Sequence, residues 1–144
     1  MFLASLDRYR EYGPLCIRIA LGLVMMGHGS QKLVGAFGGG GLSQTAGFFD
    51  QIGIVPGIFW ASVVAVVETF GGLLVLIGLL TRIAGLLIAV TMFVAMAWVH
   101  LPNGFFLSNR GIEFALVLFA MALALVLMGP GTPSADALVK RQGR

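Results

Sequence analysis

Charge is scarce in this chain. Asp, Glu, Lys and Arg make up 10% of its 144 residues, hydrophobic residues 58%, and the mean hydropathy is +0.98. Soluble domains carry about a quarter charged residues. The deficit excludes an ordinary soluble enzyme and points to an integral membrane protein. Cysteine is nearly absent. Cys16 alone permits no intrachain disulfide and no CxxC dithiol, so redox chemistry would need a bound cofactor or another subunit. Cys16 sits in apolar sequence and is expected to be an inert core residue. The nine basic and six acidic residues give a net charge of +3 and form no basic stripe, which excludes a nucleic-acid surface. No HxxE, HxxxH or EExxH spacing occurs, so no metal site is expected. A cleavable signal peptide is not expected, because the first apolar run starts late, is too long and carries Arg18, His28 and Lys32. The missing internal repeat argues against a transporter of inverted repeats.

What the chain does have is long apolar runs. Pro56–Leu80 is the most continuous, with one charge, Glu68. As a helix at ~1.5 Å per residue it is long enough to cross a hydrocarbon core of roughly 30 Å. A carboxylate at that depth needs a partner, a proton or water. The expected spans are 14–34, 56–80, 83–101 and 111–128. Pro14 suits the first turn of a helix, while Gly35–Gly41, Pro102-Asn103-Gly104 and Gly129-Pro130-Gly131 break helices. Met1–Gly13, with Phe2, Leu6 and Tyr9 at helical spacing, is expected to lie on the membrane surface. Ser43–Gly53 is expected as a short helix capped by Ser43, with Phe48, Phe49 and Ile52 toward lipid. Thr81-Arg82 is the expected turn between spans two and three.

The fold class is therefore all-α: one domain, 1–144, forming an integral membrane four-helix bundle. Four spans put both termini on one side, with Arg8, Arg10, Arg82, Lys140, Arg141 and Arg144, and Arg18 close by. Lys32 and Arg110 lie on the other. The positive-inside rule places both termini in the cytoplasm, and Trp60 and Trp98 fall near the outer interface. Gly57, Ala61, Ala65 and Thr69, then Gly85 and Ala89, then Ala120 and Ala124 form small-residue rows expected to pack helices closely.

Polar groups concentrate in one leaflet half. On span one, His28 and Lys32 share a face with Arg18, and Gln31 adjoins it. Glu68, His100 and Glu113 come from the other spans. The expected result is a polar cavity open to the non-cytoplasmic side, with His28–Glu68 and Lys32 with Glu68 or Glu113 as ion pairs. The candidate ligand or proton site is His28, Lys32, Glu68, His100 and Glu113, supported by Arg18, Gln31, Asn103 and Arg110. Met92, Met96, Phe93 and Phe105 are the expected walls. Arg18 and Lys32, near span ends, have a competing expectation: they snorkel to the interface. A quinone or another small amphipathic molecule suits such a site better than haem or metal.

These residues resemble the DoxX family of small four-span bacterial membrane proteins over nearly the whole chain. The matching pieces are Arg18, then Gly29-Ser30-Gln31-Lys32-Leu33, Gly47-Phe48-Phe49 and Gly53-Ile54-Val55-Pro56. After them come Glu68 with Gly71 and Gly72, Ile77-Gly78-Leu79-Leu80-Thr81-Arg82, and His100 with Asn103-Gly104-Phe105-Phe106. Gly111 with Glu113, Gly129-Pro130-Gly131, Ser134 and Asp136 complete the series. Val55 and Asn109-Arg110 depart from the family pattern. The resemblance implies a multi-pass protein of the bacterial inner membrane in a redox neighbourhood. The family takes its name from components linked to thiosulfate:quinone oxidoreductase, and other relatives are associated with quinone and catechol stress. The expected role is a membrane subunit of, or accessory to, a quinone-linked redox system. The implied partners are the lipid bilayer and a further membrane or redox subunit or a second copy of the chain. The alternative is a non-catalytic structural or assembly subunit. Neither reading assigns a catalytic residue.

Overall fold

The computed structural model describes residues 3–142, with side chains from Asp7 to Lys140. Among these residues the chain is helical and contains no strand. A 3-10 stretch, Leu3–Tyr12, leads into α1 (Gly13–Val34). Then follow α2 (Gly41–Gln51), α3 (Gly57–Ile77), α4 (Thr81–Asn103), α5 (Glu113–Met128) and α6 (Ala135–Gln142). Among the described residues, α3 and α4 are long and apolar enough to cross a membrane. Helix α1 is of similar length, but its polar stripe dilutes its hydropathy, and α5 is shorter. Phe2 and Arg144, and the side chains of Leu6 and Arg141, lie outside the described residues.

The helix ends follow from the sequence. Pro14 sits in the first turn of α1, and Gly35 closes it in the left-handed region at φ 74°. Helix α2 starts at Gly41, so Ser43 falls inside its first turn and caps nothing. Asp50 at its far end has a role the sequence did not announce. Its carboxylate accepts the Gly57 N–H at 2.6 Å and caps α3. The turn between α3 and α4 is Gly78–Leu80, and Thr81 already belongs to α4. Asp136 of α6 caps α4 from a distance, accepting from Leu80 N–H at 2.8 Å and from Thr81 N–H and Oγ1–H at 3.1 Å.

Helices α1, α3, α4 and α5 bury a shared core around Leu21, Met25, Val75, Ile88, Leu118 and Leu125. Helices α1 and α3 approach closely because Gly22 meets Gly72, and Gly29 meets Thr69. A Cβ at Gly22 would lie 2.8 Å from the Gly72 carbonyl oxygen. Gly57, Ala61, Ala65, Gly85 and Ala89 face inward as their spacing suggests. Ala120 and Ala124 do not form the contact row of α5. Ala115, Leu118, Ala122 and Leu125 face inward instead, and Gly85 packs on Ala122. With two apolar stripes available on an all-apolar helix, small residues alone do not select the face. Cys16 is exposed on α1, not in the core.

Arg18 does not snorkel. It is 2% exposed and bonds to four carbonyls. Nε donates to Val75 O at 2.9 Å and Nη2 to Leu76 O at 2.9 Å. Nη1 donates to Pro130 O at 2.9 Å and Pro133 O at 2.8 Å. The guanidinium thus holds the negative end of α3 and the segment after α5 together. Gly78 is required beside it: its φ is +73°, and a Cβ would stand 2.6 Å from Arg18 Cζ.

Candidate functional site

Helix α3 is not uniformly α-helical. Val67–Gly71 forms a π turn, which places Glu68 and Gly71 both on the buried side. Such single π turns add one residue to a helix and often lie at functional sites. Glu68 is 3% exposed, and its Oε2 lies 2.6 Å from Lys32 Nζ of α1. Lys32 is half-buried, with a side chain 28% exposed. The pair is a close charge-assisted contact. On the next residue, Thr69 Oγ1 is buried against Gly29 with no partner among the described residues.

Beside this pair opens a cavity of about 1060 Å³. Its walls come from α1, α2, α3, α4, α5 and the loop before α5. Trp60, Val63 and Val64 of α3, Val90 and Thr91 of α4 and Phe114 and Leu118 of α5 are among its lining residues. The first half of α3 packs on α1 and α2, so α4 stands away from it there. A second π turn, Ala95–His100, lies on α4, and its Ala95, Val99 and His100 line the same space.

The cavity gathers His28, Lys32, Glu68, His100 and Arg110. It does not gather Gln31, Asn103, Glu113 or Arg18. Gln31 turns to a smaller recess of about 310 Å³ on the far side of His28. Glu113 accepts the Leu107 N–H at 2.5 Å and so ties down the loop before α5 rather than pairing with Lys32. Asn103 donates to Val99 O at 3.2 Å, closing the end of α4. His100 Nδ1 lies 2.7 Å from Arg110 O, which joins the same loop to α4. His28 forms no pair with Glu68. Its ring lies 5.8 Å from that of Phe114, and Lys32 takes the carboxylate. Lys32 likewise does not snorkel.

Two expectations about the walls are corrected. Met92 lines the cavity, but Met96, Phe93 and Phe105 do not. Helix α2, expected with its aromatic face in lipid, is a wall: Gln44, Thr45, Phe48 and Gln51 line the space. Phe49, with Ile52 beside it, packs inward on Ala61. The signal for this was the row of small residues Gly57 and Ala61 on α3, which leaves room for a neighbour that need not be a full span.

Chemically, the site offers an ammonium–carboxylate pair in a largely apolar chamber, with His28 and His100 among its lining residues and Arg110 at its rim. It can hydrogen-bond ligand oxygen atoms and exchange protons with them. Among the described residues no three His, Cys, Asp or Glu side chains cluster to hold a metal ion.

The family model described as DoxX matches residues 13–101, which contain α1 to α3 and most of α4. The chain is 37% identical over 115 residues to a Bacillus subtilis protein named "Putative oxidoreductase CatD", covering 80% of this chain and 79% of that one. It is 35% identical over 133 residues to "Uncharacterized membrane protein Rv3486" of Mycobacterium tuberculosis, covering 85% and 78% respectively. An uncharacterized Haemophilus influenzae protein is 29% identical over 139 residues, 92% of this chain and 94% of that one. No solved structure matches. The match over more than half the chain, the apolar helices and these relatives agree: the protein is a membrane protein of the DoxX family.

Proposed function

We propose that the chain is a single four-span domain of the bacterial inner membrane, with both termini cytoplasmic, and that it serves a quinone-linked redox system by binding a small amphipathic molecule in the cavity. The carrying observation is the chamber of about 1060 Å³ floored by the Lys32–Glu68 pair. Its size and mostly apolar walls suit a ring with a hydrocarbon tail, and its few polar groups can orient such a molecule. The oxidoreductase name of the Bacillus subtilis relative adds a redox setting. With one cysteine and no clustered metal ligands among the described residues, the electron carrier in this reading is the ligand or a partner subunit. The site is His28, Lys32, Glu68 and His100, with Arg110 at its rim. Arg18, Gln31, Asn103 and Glu113 support the fold around it.

The alternative, a structural or assembly subunit, draws support from the closed Lys32–Glu68 contact, which a purely packing role would also need. It has no use for the chamber. The two separate by extraction. Protein purified in mild detergent is scanned for absorption, then its small molecules are extracted and identified by mass spectrometry, for wild type and Glu68→Gln. A quinone retained by wild type and depleted in Glu68→Gln is the expected result. Protein that is folded and free of any bound small molecule in both forms contradicts the ligand reading.

A further inference from the structure

The charges lining the cavity do not cancel. Lys32 and Arg110 both line it, and Glu68 is the one carboxylate among the lining residues. Lys32 already occupies that carboxylate at 2.6 Å. Two more carboxylates lie outside the lining and are held by backbone amides, Glu113 by the Leu107 N–H and Asp50 by the Gly57 N–H. His28 and His100 add donors or acceptors but no negative charge. The Arg110 guanidinium has no acceptor among the described residues; His100 and Asn103 engage only its backbone carbonyl. Arg110 is held at φ 60°, in the left-handed region, which ends the Leu107–Asn109 turn and sets the residue at the cavity rim. Arg110 is exposed at the rim, where an unpaired cation beside an opening steers anions toward it.

We propose that the cavity selects an amphipathic molecule whose polar end is an anionic oxygen, such as the enolate of a hydroxyquinone, over a neutral molecule of the same shape. The anionic end is drawn to Arg110 at the rim, and the apolar body lies in the chamber between the rim and the Lys32–Glu68 pair. This rests on the ligand reading above and adds the charge of the ligand to it.

The test uses two probes with the same alkyl chain: a 2-hydroxy-3-alkyl-1,4-naphthoquinone, ionised at neutral pH, and its neutral 2-methyl counterpart. Binding to the purified full chain is followed by quenching of Trp60 fluorescence in a Trp98→Phe background. The hydroxy probe is expected to bind at least about tenfold tighter. Arg110→Asn removes the charge while keeping a residue that tolerates the left-handed backbone. It is expected to bring the two affinities within about twofold, with an unchanged melting temperature. Equal affinities in wild type, or a preference that survives Arg110→Asn, overturn the anion selectivity and leave the cavity a quinone site. Failure of both probes to bind wild type overturns the ligand reading and this inference with it.

Discussion

Lys32 Nζ of α1 lies 2.6 Å from Glu68 Oε2 of α3, and the two residues differ sharply in exposure: 28% for the lysine side chain, 4% for the glutamate. The asymmetry decides what each deletion costs. Lys32→Met leaves a carboxylate with almost no water and no cation. Removing one partner of a buried pair costs about 3–5 kcal/mol. Glu68→Gln leaves an ammonium that can still hydrate from the cavity. We expect Lys32→Met to lower the melting temperature in detergent more than Glu68→Gln does. The double variant Lys32→Met/Glu68→Met should recover most of the loss. Thermal unfolding of the three proteins checks this, and a double variant less stable than either single contradicts it.

Arg18 makes a second, separate prediction. Arg18→Met strips four carbonyls of their donor at the junction of α3 and the segment after α5. Hydrogen bonds to a charged group contribute about 1.5–3 kcal/mol each, offset in part by the charge no longer buried. A net loss of about 2–4 kcal/mol is expected. Arg18→Lys should not rescue it, because an ammonium cannot reproduce the planar fork. Limited proteolysis should reveal new cleavage after Met128 in both variants. Wild-type stability in Arg18→Lys would contradict the clamp.

Two glycines of α1, two residues apart, should behave oppositely. A Cβ at Gly27 meets nothing within 4 Å, whereas at Gly29 it runs into the backbone and side chain of Thr69. Gly27→Ala is expected to be neutral or stabilising by up to about 1 kcal/mol through helix propensity. Gly29→Ala should destabilise by about 1–3 kcal/mol as α1 is pushed off α3. Melting temperatures of the two variants decide it. Equal effects would mean that α1 and α3 are not in close contact at Thr69.

The proposed topology is checked by accessibility. Cys16 is exposed, near the side where Arg8, Arg10, Arg82 and Lys140 gather. In intact cells of a Cys16→Ser background, single cysteines at Ser108 and Leu138 should respond differently to a membrane-impermeant maleimide. Ser108 should label from outside and Leu138 only after the membrane is opened. The reverse pattern would invert the orientation.

Much of the fold was legible because its punctuation is local. Gly35, Pro56 and Gly129 stop or start helices by their own backbone chemistry, so the helix limits of α1, α3, α4 and α5 fall within a few residues of those expected. The Lys32–Glu68 contact was legible because an intramembrane carboxylate needs a cation and few were available. What was hidden depends on tertiary contacts. Arg18 sits where a snorkelling residue would sit, and only the return of Pro130 and Pro133 beneath it makes it a clamp. Glu113 and Asn103 looked like site residues because they lie at the right depth, but local loop amides and carbonyls claimed them first. Helix α2 was expected in the interface because its amphipathic pattern is the same whether the apolar face meets lipid or Ala61. The face of α5 was ambiguous for the same reason.

The central claim is that the chamber beside Lys32 and Glu68 holds a specific amphipathic ligand. The most direct measurement is photolabelling in membranes with an azido-alkylquinone, followed by peptide mapping, with and without excess unlabelled quinone. The account predicts labelling of chamber residues such as Trp60, Val63 and Val90 that unlabelled quinone suppresses and Glu68→Gln diminishes. Labelling spread over exposed outward-facing residues such as Leu86, Leu87 and Val117, with no competition by excess quinone, would mean partition into lipid and would contradict it.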